Sequence, residues 1–209
     1  LLSAVVERMD LSALYSTYSE EGRNQYSPSV LLKICILGYS RKAISSRAIE
    51  QACRENIKYM YLLNGENPPD HNTIARFHSK HLAECQDQIL AEMTRVLMDM
   101  GEVSFAESAV FIDGTKIESV GKYFNEKRDS MESKIMTGEG KQLRMNRSIQ
   151  AEGVFAYVKT DLSFRRFLTK GIKKVGAEWT LLAMAYNILR MQHKGQNGRL
   201  GTHLYSLAA

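Results

Sequence analysis

Three prolines, three cysteines and one tryptophan in 209 residues leave several protein classes without support. Cys35, Cys53 and Cys85 are odd in number and none belongs to a Cys-x-x-Cys pair, so neither a disulfide framework nor a zinc site is indicated. Cys35 and Cys53 sit among apolar neighbours and read as buried thiols in a reducing compartment. The longest apolar run, 30–37, is interrupted by Lys33. It is far shorter than the roughly 20 residues that span a bilayer, and no secretory signal is visible, so no membrane partner is expected. Internal repeats and low-complexity tracts are also lacking. The chain opens Leu1-Leu2-Ser3 without methionine, which reads as a fragment of an open reading frame.

What is present is a globular composition, with 44% apolar residues, and a net charge of +5 at a pI near 9.1. The charge is unevenly placed. From Gly140 onward there are twelve Lys or Arg against three acids, a net +9, which leaves −4 for residues 1–139. A basic carboxyl-terminal third suits a polyanion such as DNA, and it equally suits a solvated helical face.

The amino-terminal half reads as closely spaced helices. A short one is expected over 3–10. Ser27-Pro28 supplies a cap and a first-turn proline for a helix carrying Val30, Leu31, Ile34, Cys35 and Leu37. Ser45 or Ser46 caps the next, through about Arg54, and a third covers about 56–63. The Asn64–Asp70 stretch, with Asn-Gly and Pro-Pro, is a break. Asn72 or Thr73 then caps a helix to about Lys80, and a longer one runs to about Met100, stopped by Gly101 in a left-handed conformation. Beyond it, 107–112 and 116–120 read as a β-hairpin with Asp113-Gly114 at the turn. The charged stretch 126–140 is a loop or frayed helix. Helix returns over about 146–159 and 175–192, the latter with Trp179, Leu182, Ala183, Tyr186 and Leu189 on one face.

Two stretches carry chemistry. Phe111-Ile112-Asp113-Gly114 delivers a carboxylate from an apolar strand into a turn, and the basic segment Arg147–Lys159 carries Glu152. Glu152 and Lys159 are seven residues apart, about 700° of helical rotation, so they share a face. A carboxylate pair of this kind suits a divalent cation such as magnesium, which takes oxygen ligands and assists phosphodiester chemistry by polarising phosphoryl oxygen. Asp113 and Glu152 are the candidate metal ligands and catalytic residues, with Lys159 as a phosphate contact and Arg144 and Arg147 adding to it. The bland alternative makes Glu152 and Lys159 solvated residues beside a core face of Val154, Phe155 and Val158. Asp129 and Asp161 are the nearest further aspartates, but the first lies in a charged stretch without strand pattern and the second follows the glutamate.

The motifs Tyr26-Ser27-Pro28-Ser29-Val30-Leu31-Leu32, Pro69-Asp70-His71-Asn72-Thr73-Ile74-Ala75-Arg76-Phe77, Asp113-Gly114-Thr115-Lys116-Ile117-Glu118 and the Arg147–Lys159 block stand in one order along the chain. With Phe164-Arg165-Arg166-Phe167 and Asn197-Gly198-Arg199-Leu200-Gly201, they resemble the two ends of bacterial insertion-sequence transposases with an Asp-Asp-Glu active site. The resemblance implies a mainly α chain with a small β-hairpin. A helical DNA-binding or oligomerisation domain (1–101) would precede a truncated ribonuclease-H-like α/β remnant (102–209), with a deletion junction near 126–140. It implies Asp113 and Glu152 as first aspartate and final glutamate, magnesium as cofactor, and terminal-repeat duplex DNA as partner. It further implies a bacterial cytoplasmic, nucleoid-associated location and a homo-oligomer, or a mixed oligomer with intact transposase. The family places its middle aspartate in a long segment between these motifs, whereas Asp113 and Glu152 are only 39 positions apart. Defective catalysis is therefore expected, and the alternatives are a non-catalytic DNA-binding remnant or regulator, or a decayed product whose carboxyl-terminal part does not pack.

Candidate DNA contacts in the amino-terminal part are Arg47, Arg54, Asn72, Arg76 and Lys80, with Arg144, Arg147, Arg165 and Arg166 beyond. Asn72 and Arg76 are one helical turn apart, a spacing from which asparagine reads adenine and arginine reads guanine. A dimerisation or packing role for the same helices is the competing reading. His71, His78 and His81 have no partner with ligand spacing and read as surface or cap residues.

Overall fold

The computed structural model describes residues 1–18, 26–103, 136–147 and 153–201. Among them all regular structure is helical, in keeping with the mainly α expectation. The hairpin expected over 107–120 and the stretch 126–135 lie outside the described residues. The chain clusters into two compact units, one of residues 1–103 with 158–201 and one of 104–157 with 202–209.

In the first unit, α1 (Leu2–Val6) and α2 (Ser12–Tyr15) bury Val5, Val6 and Leu14. α3 (Pro28–Ser40) starts at Pro28 after Ser27, and its fixed φ suits a first helical turn. Its Leu31, Leu32, Ile34, Cys35, Ile36 and Tyr39 are all at most 1% exposed. A helix apolar on nearly every side belongs in the centre of a core, and that is its place here. α4 (Ser46–Glu55) is amphipathic, burying Ile49 and Cys53 one turn apart, and its cap is Ser45, whose hydroxyl accepts from the Ala48 N–H at 3.2 Å. α5 (Ile57–Leu63) is capped by Asn56 and ends at Asn64, which adopts a left-handed φ of 49°.

The next cap differs from the expectation. Asp70, not Asn72 or Thr73, starts α6 (His71–Arg76), and its carboxylate accepts from the Thr73 N–H at 2.7 Å. A carboxylate at the positive end of a helix is a stronger cap than a threonine, and Asn72 is left exposed. The helix does not stop near Lys80. It passes through a π-helical segment, Phe77–Leu82, into α7 (Ala83–Asp99), with a kink where Cys85 has φ −125°. Gly101 follows at φ 71°, as its place after the helix predicts. The wide turn carries Phe77, His78, His81 and Leu82 into the core, so His78 and His81 are buried rather than surface residues.

In the carboxyl-terminal part, α8 (Gly138–Arg147) and α9 (Gly153–Thr160) are helical, as expected for the described parts of 146–159. α10 (Ile172–Gln196) is longer than predicted and packs on α3, α7 and the π segment. Its core face also differs. Ala177, Leu181, Leu182, Met184, Ala185, Ile188 and Met191 are buried, while Trp179 is 41% exposed. Of the five residues assigned to the core face, Leu182 alone is buried. The helix is apolar around so much of its girth that the sequence does not single out one stripe, and the position of α3 decides which side is covered.

Two close approaches need glycine. A Cβ on Gly38 would lie 2.8 Å from Ile49 Cγ1 and 2.9 Å from the Ala43 carbonyl oxygen, and one on Gly176 would meet the Gln86 carboxamide. At Gly38 one obstacle is backbone and cannot swing away. Gly38→Ala should therefore destabilise the chain by about 1–3 kcal/mol, seen as a lower urea midpoint with an unchanged m-value. An unaltered midpoint would mean that α3 and the 43–49 segment are not held at this spacing.

Candidate functional site

α4 and α6 meet at Glu50. Its carboxylate accepts from the His71 backbone N–H at 3.0 Å, from His71 Nδ1 at 2.8 Å and from Arg54 at 2.8 Å. Its pKa lies below the usual carboxylate value, chiefly through the His71 hydrogen bond, with Arg54 adding to it. Arg54, expected as a DNA contact, is thus engaged along its own helix. Arg47 on α4, Asn72 and Arg76 on α6 and Lys80 in the π segment are exposed. Arg47, Arg76 and Lys80 form no ion pair among the described residues.

Behind this surface His78 Nε2 lies 3.1 Å from Cys35 Sγ, with the Tyr39 ring edge-on at 6.1 Å. Burial pushes the His78 pKa down to about 4 and the Cys35 thiol well above its ordinary value. A nucleophilic cysteine needs the opposite on both sides, a thiolate beside an imidazolium, so this pair is neutral packing.

A cleft of about 350 Å³ adjoins it, lined by Ser45, Ser46, Ser79, Thr169, Lys170 and Lys174 together with the apolar Ile44, Ala75 and Leu168 and with Tyr39, His78 and Glu178. Part of that lining is irregular chain, 161–171, held from beneath. Leu162 and Phe164 are buried, the Phe164 N–H donates to the Val158 carbonyl at 3.1 Å, and Phe167 packs edge-on against Phe164 at 5.1 Å. Glu178, only 2% exposed, accepts from the Leu168 N–H at 2.9 Å and the Thr169 N–H at 2.7 Å. Phe164 anchors its motif, and Arg165 and Arg166 are exposed. The sequence reading missed Glu178, although a signal existed: it is the only acid after Asp161, and it stands between Ala177 and Trp179.

Lys159 is exposed at the end of α9. In the second unit Arg144 is exposed on α8. Asp113, Glu152 and the Arg147 side chain lie outside the described residues, so the carboxylate pair has no described geometry. Among the described residues no three His, Cys, Asp or Glu side chains are grouped to hold a metal ion, and no helix is long and apolar enough to cross a membrane.

Two families match the chain. The Transposase domain (DUF772) family matches residues 1–80, and the Transposase DDE domain family matches residues 113–192. Between them they take in most of the helices of the first unit and the whole stretch from Asp113 through Glu152 and Glu178. The chain belongs to the insertion-sequence DDE transposases. That family works with a divalent cation, typically magnesium. No curated protein and no solved structure matches the chain.

The neutral buried histidine gives a pH signature. The folded pKa of His78 is depressed below the ordinary value of 6.5, so the unfolded chain takes up its proton first. Stability is full above about pH 6.5 and falls as pH drops toward 4, by about 3 kcal/mol in all. His81, whose pKa is also lowered by burial, adds in the same direction. Urea unfolding between pH 7 and 5 should show this slope, and His78→Gln should flatten it. An equal slope in the variant would place the titration elsewhere.

Proposed function

We propose that this chain binds duplex DNA at the ends of an insertion element. On this reading it carries, in Asp113 and Glu152, two of the three carboxylates of a metal-dependent strand-cleaving centre, and lacking the third it is defective in cleavage. The observation that carries the reading is the pair of family matches, in order, with the DDE match opening at Asp113 and containing Glu152 only 39 positions later.

Asp113 and Glu152 would hold the cation, because carboxylate oxygens are the hard donors that magnesium takes. When bound, such an ion polarises the scissile phosphodiester and activates the attacking hydroxyl. The remaining roles belong to side chains that touch DNA. Lys159, seven residues after Glu152 in the sequence, is assigned to a phosphate contact, with Arg144 and Arg147 nearby in sequence. Asn72 and Arg76, exposed one turn apart on α6, read base edges, while Arg47 and Lys80 contact the backbone. The exposure and lack of ion pairs at Arg47, Arg76 and Lys80 support this assignment. Arg54, tied to Glu50, is the weaker member of the set.

A second reading is favoured by the short spacing itself. Without a middle aspartate, the chain serves as a DNA-binding regulator that occupies element ends or joins intact transposase in mixed oligomers.

The test is binding to duplexes bearing the parent element's ends, against scrambled duplexes, followed by incubation with magnesium. End-bearing duplexes should be preferred, and Asn72→Ala with Arg76→Ala should reduce that preference roughly ten- to hundredfold. Asp113→Ala with Glu152→Ala should leave binding unchanged, and no strand transfer should be seen. Magnesium-dependent nicking that disappears in Asp113→Ala would overturn the defect. Equal affinity for both duplexes would overturn end recognition.

A further inference from the structure

We propose that the segment 165–174 is a second DNA-binding surface, in which Lys170 and Lys174 at the cleft wall seat a backbone phosphate and Arg165, Arg166 and Lys173 engage neighbouring phosphates. The inference rests on the DNA-binding reading above and extends it to three lysines and a cleft with no role so far.

The charge pattern is the first support. Arg165, Arg166, Lys170, Lys173 and Lys174 are all exposed, and no acid occurs between Leu162 and Ala177. None of the five has an ion-pair partner among the described residues, although Lys33, Arg54, Arg95 and Lys194 each have one. The flanking acids are Asp161 and Glu178, each four positions from the nearest of these cations; Asp161 is exposed and in no ion pair among the described residues, and the Glu178 carboxylate is buried and turned to two backbone N–H groups. Five cations on a short stretch repel one another, and a polyanion relieves that repulsion with release of counterions.

The second support is that the segment is fixed and its neighbour is suitable. Glu178 and the buried Phe164 hold the backbone on both sides of Arg165 and Arg166, so the cations are presented on a set frame. Ser45 and Ser46 also line the cleft, and the first turn of α4 has no acid. Thr169 lines the same cleft. A phosphate in the cleft would meet two lysines. Lysines act here as point charges, so the contact is independent of base sequence. Exposed Phe167, Leu168 and Ile172 border the surface, which makes an anionic membrane the rival occupant. Duplex DNA is favoured because both stretches of chain that line the cleft fall within matches to transposase domains, a family that acts on DNA.

The experiment is fluorescence anisotropy of the whole chain on short end-bearing and scrambled duplexes across a salt series without metal. Lys170→Ala with Lys174→Ala should make the slope of log K against log salt shallower by about 1, equally on both duplexes, since the one phosphate they share contributes roughly 0.9. Lys170→Arg with Lys174→Arg should restore it. Both variants should melt as the parent does, because these side chains are exposed. An unchanged slope in the alanine pair, with the parent still binding DNA, would overturn this surface and leave the proposed function standing. Failure of the parent to bind either duplex at any salt would overturn both. Retention of the chain on phosphatidylserine vesicles in the presence of excess duplex would overturn DNA as the occupant.

Discussion

Two buried carboxylates seat the longest helix, and most of the first unit depends on them. α10 lies along α3 and α7 through Leu181, Leu182, Ala185 and Ile188, a contact that is apolar and tolerant of sliding. Glu178 near its start and Glu102 near its end remove that freedom. An isolated carboxylate in an apolar setting is costly, so each is stable only where its own partners reach it. For Glu178 these are the N–H groups of Leu168 and Thr169. For Glu102 they are Lys194 at 2.7 Å and the Gly201 N–H at 2.9 Å. The same bonds that satisfy the acids fix the loop before α10 and the turn after it. Close packing of α10 on α7 is possible where Gly176 faces the Gln86 carboxamide.

This pairing changes what the net charge means. Residues 1–139 sum to −4, which alone argues against a polyanion partner. Yet several acids in the described part of that stretch are ion-paired locally: Glu7 with Lys33, Glu50 with Arg54, and Glu92 and Asp99 with Arg95. Arg47, Arg76 and Lys80 are left outside these pairs. At distances beyond a Debye length, about 8 Å at physiological salt, a phosphate responds to the local surface more than to the chain total.

Much of the helical layout was legible in sequence because local chemistry dictates it. Pro28, Ser45, Asn64 and Gly101 each do what their own backbone and side-chain preferences favour, whereas Ser27 holds the cap position without a side-chain cap bond, its hydroxyl meeting those of Tyr15 and Ser29. The errors came where tertiary context chose between local options. Asp70 and Asn72 can both cap, and the carboxylate next to Pro69 prevailed. His78 and His81 looked like surface residues because nothing local shows that a π turn will bring them inward. Trp179 suggested a core face by its size, but α3 covers the other side of the helix. In the candidate site, the motif singled out Arg165 and Arg166, which are exposed. Glu178 stood out in sequence only as a lone acid beside apolar neighbours, and nothing local indicates the two N–H groups that bury it.

The two family-matched stretches do not divide the work as two separate domains would. Ser45, Arg47 and Arg76 come from the first match, and Arg165 to Lys174 from the second, yet all belong to one compact unit of residues 1–103 and 158–201. Asp113 and Glu152 lie in the intervening 104–157 stretch of the sequence. On the proposed reading, loss of chain between the carboxylates removes a metal ligand but none of the residues assigned here to DNA contact in the first unit. Their frame is set by Glu50 and Glu178, whose partners all lie within that unit. On that reading cleavage and binding would be separable in this chain, and DNA binding without cleavage is the outcome that the proposed distribution of its residues favours.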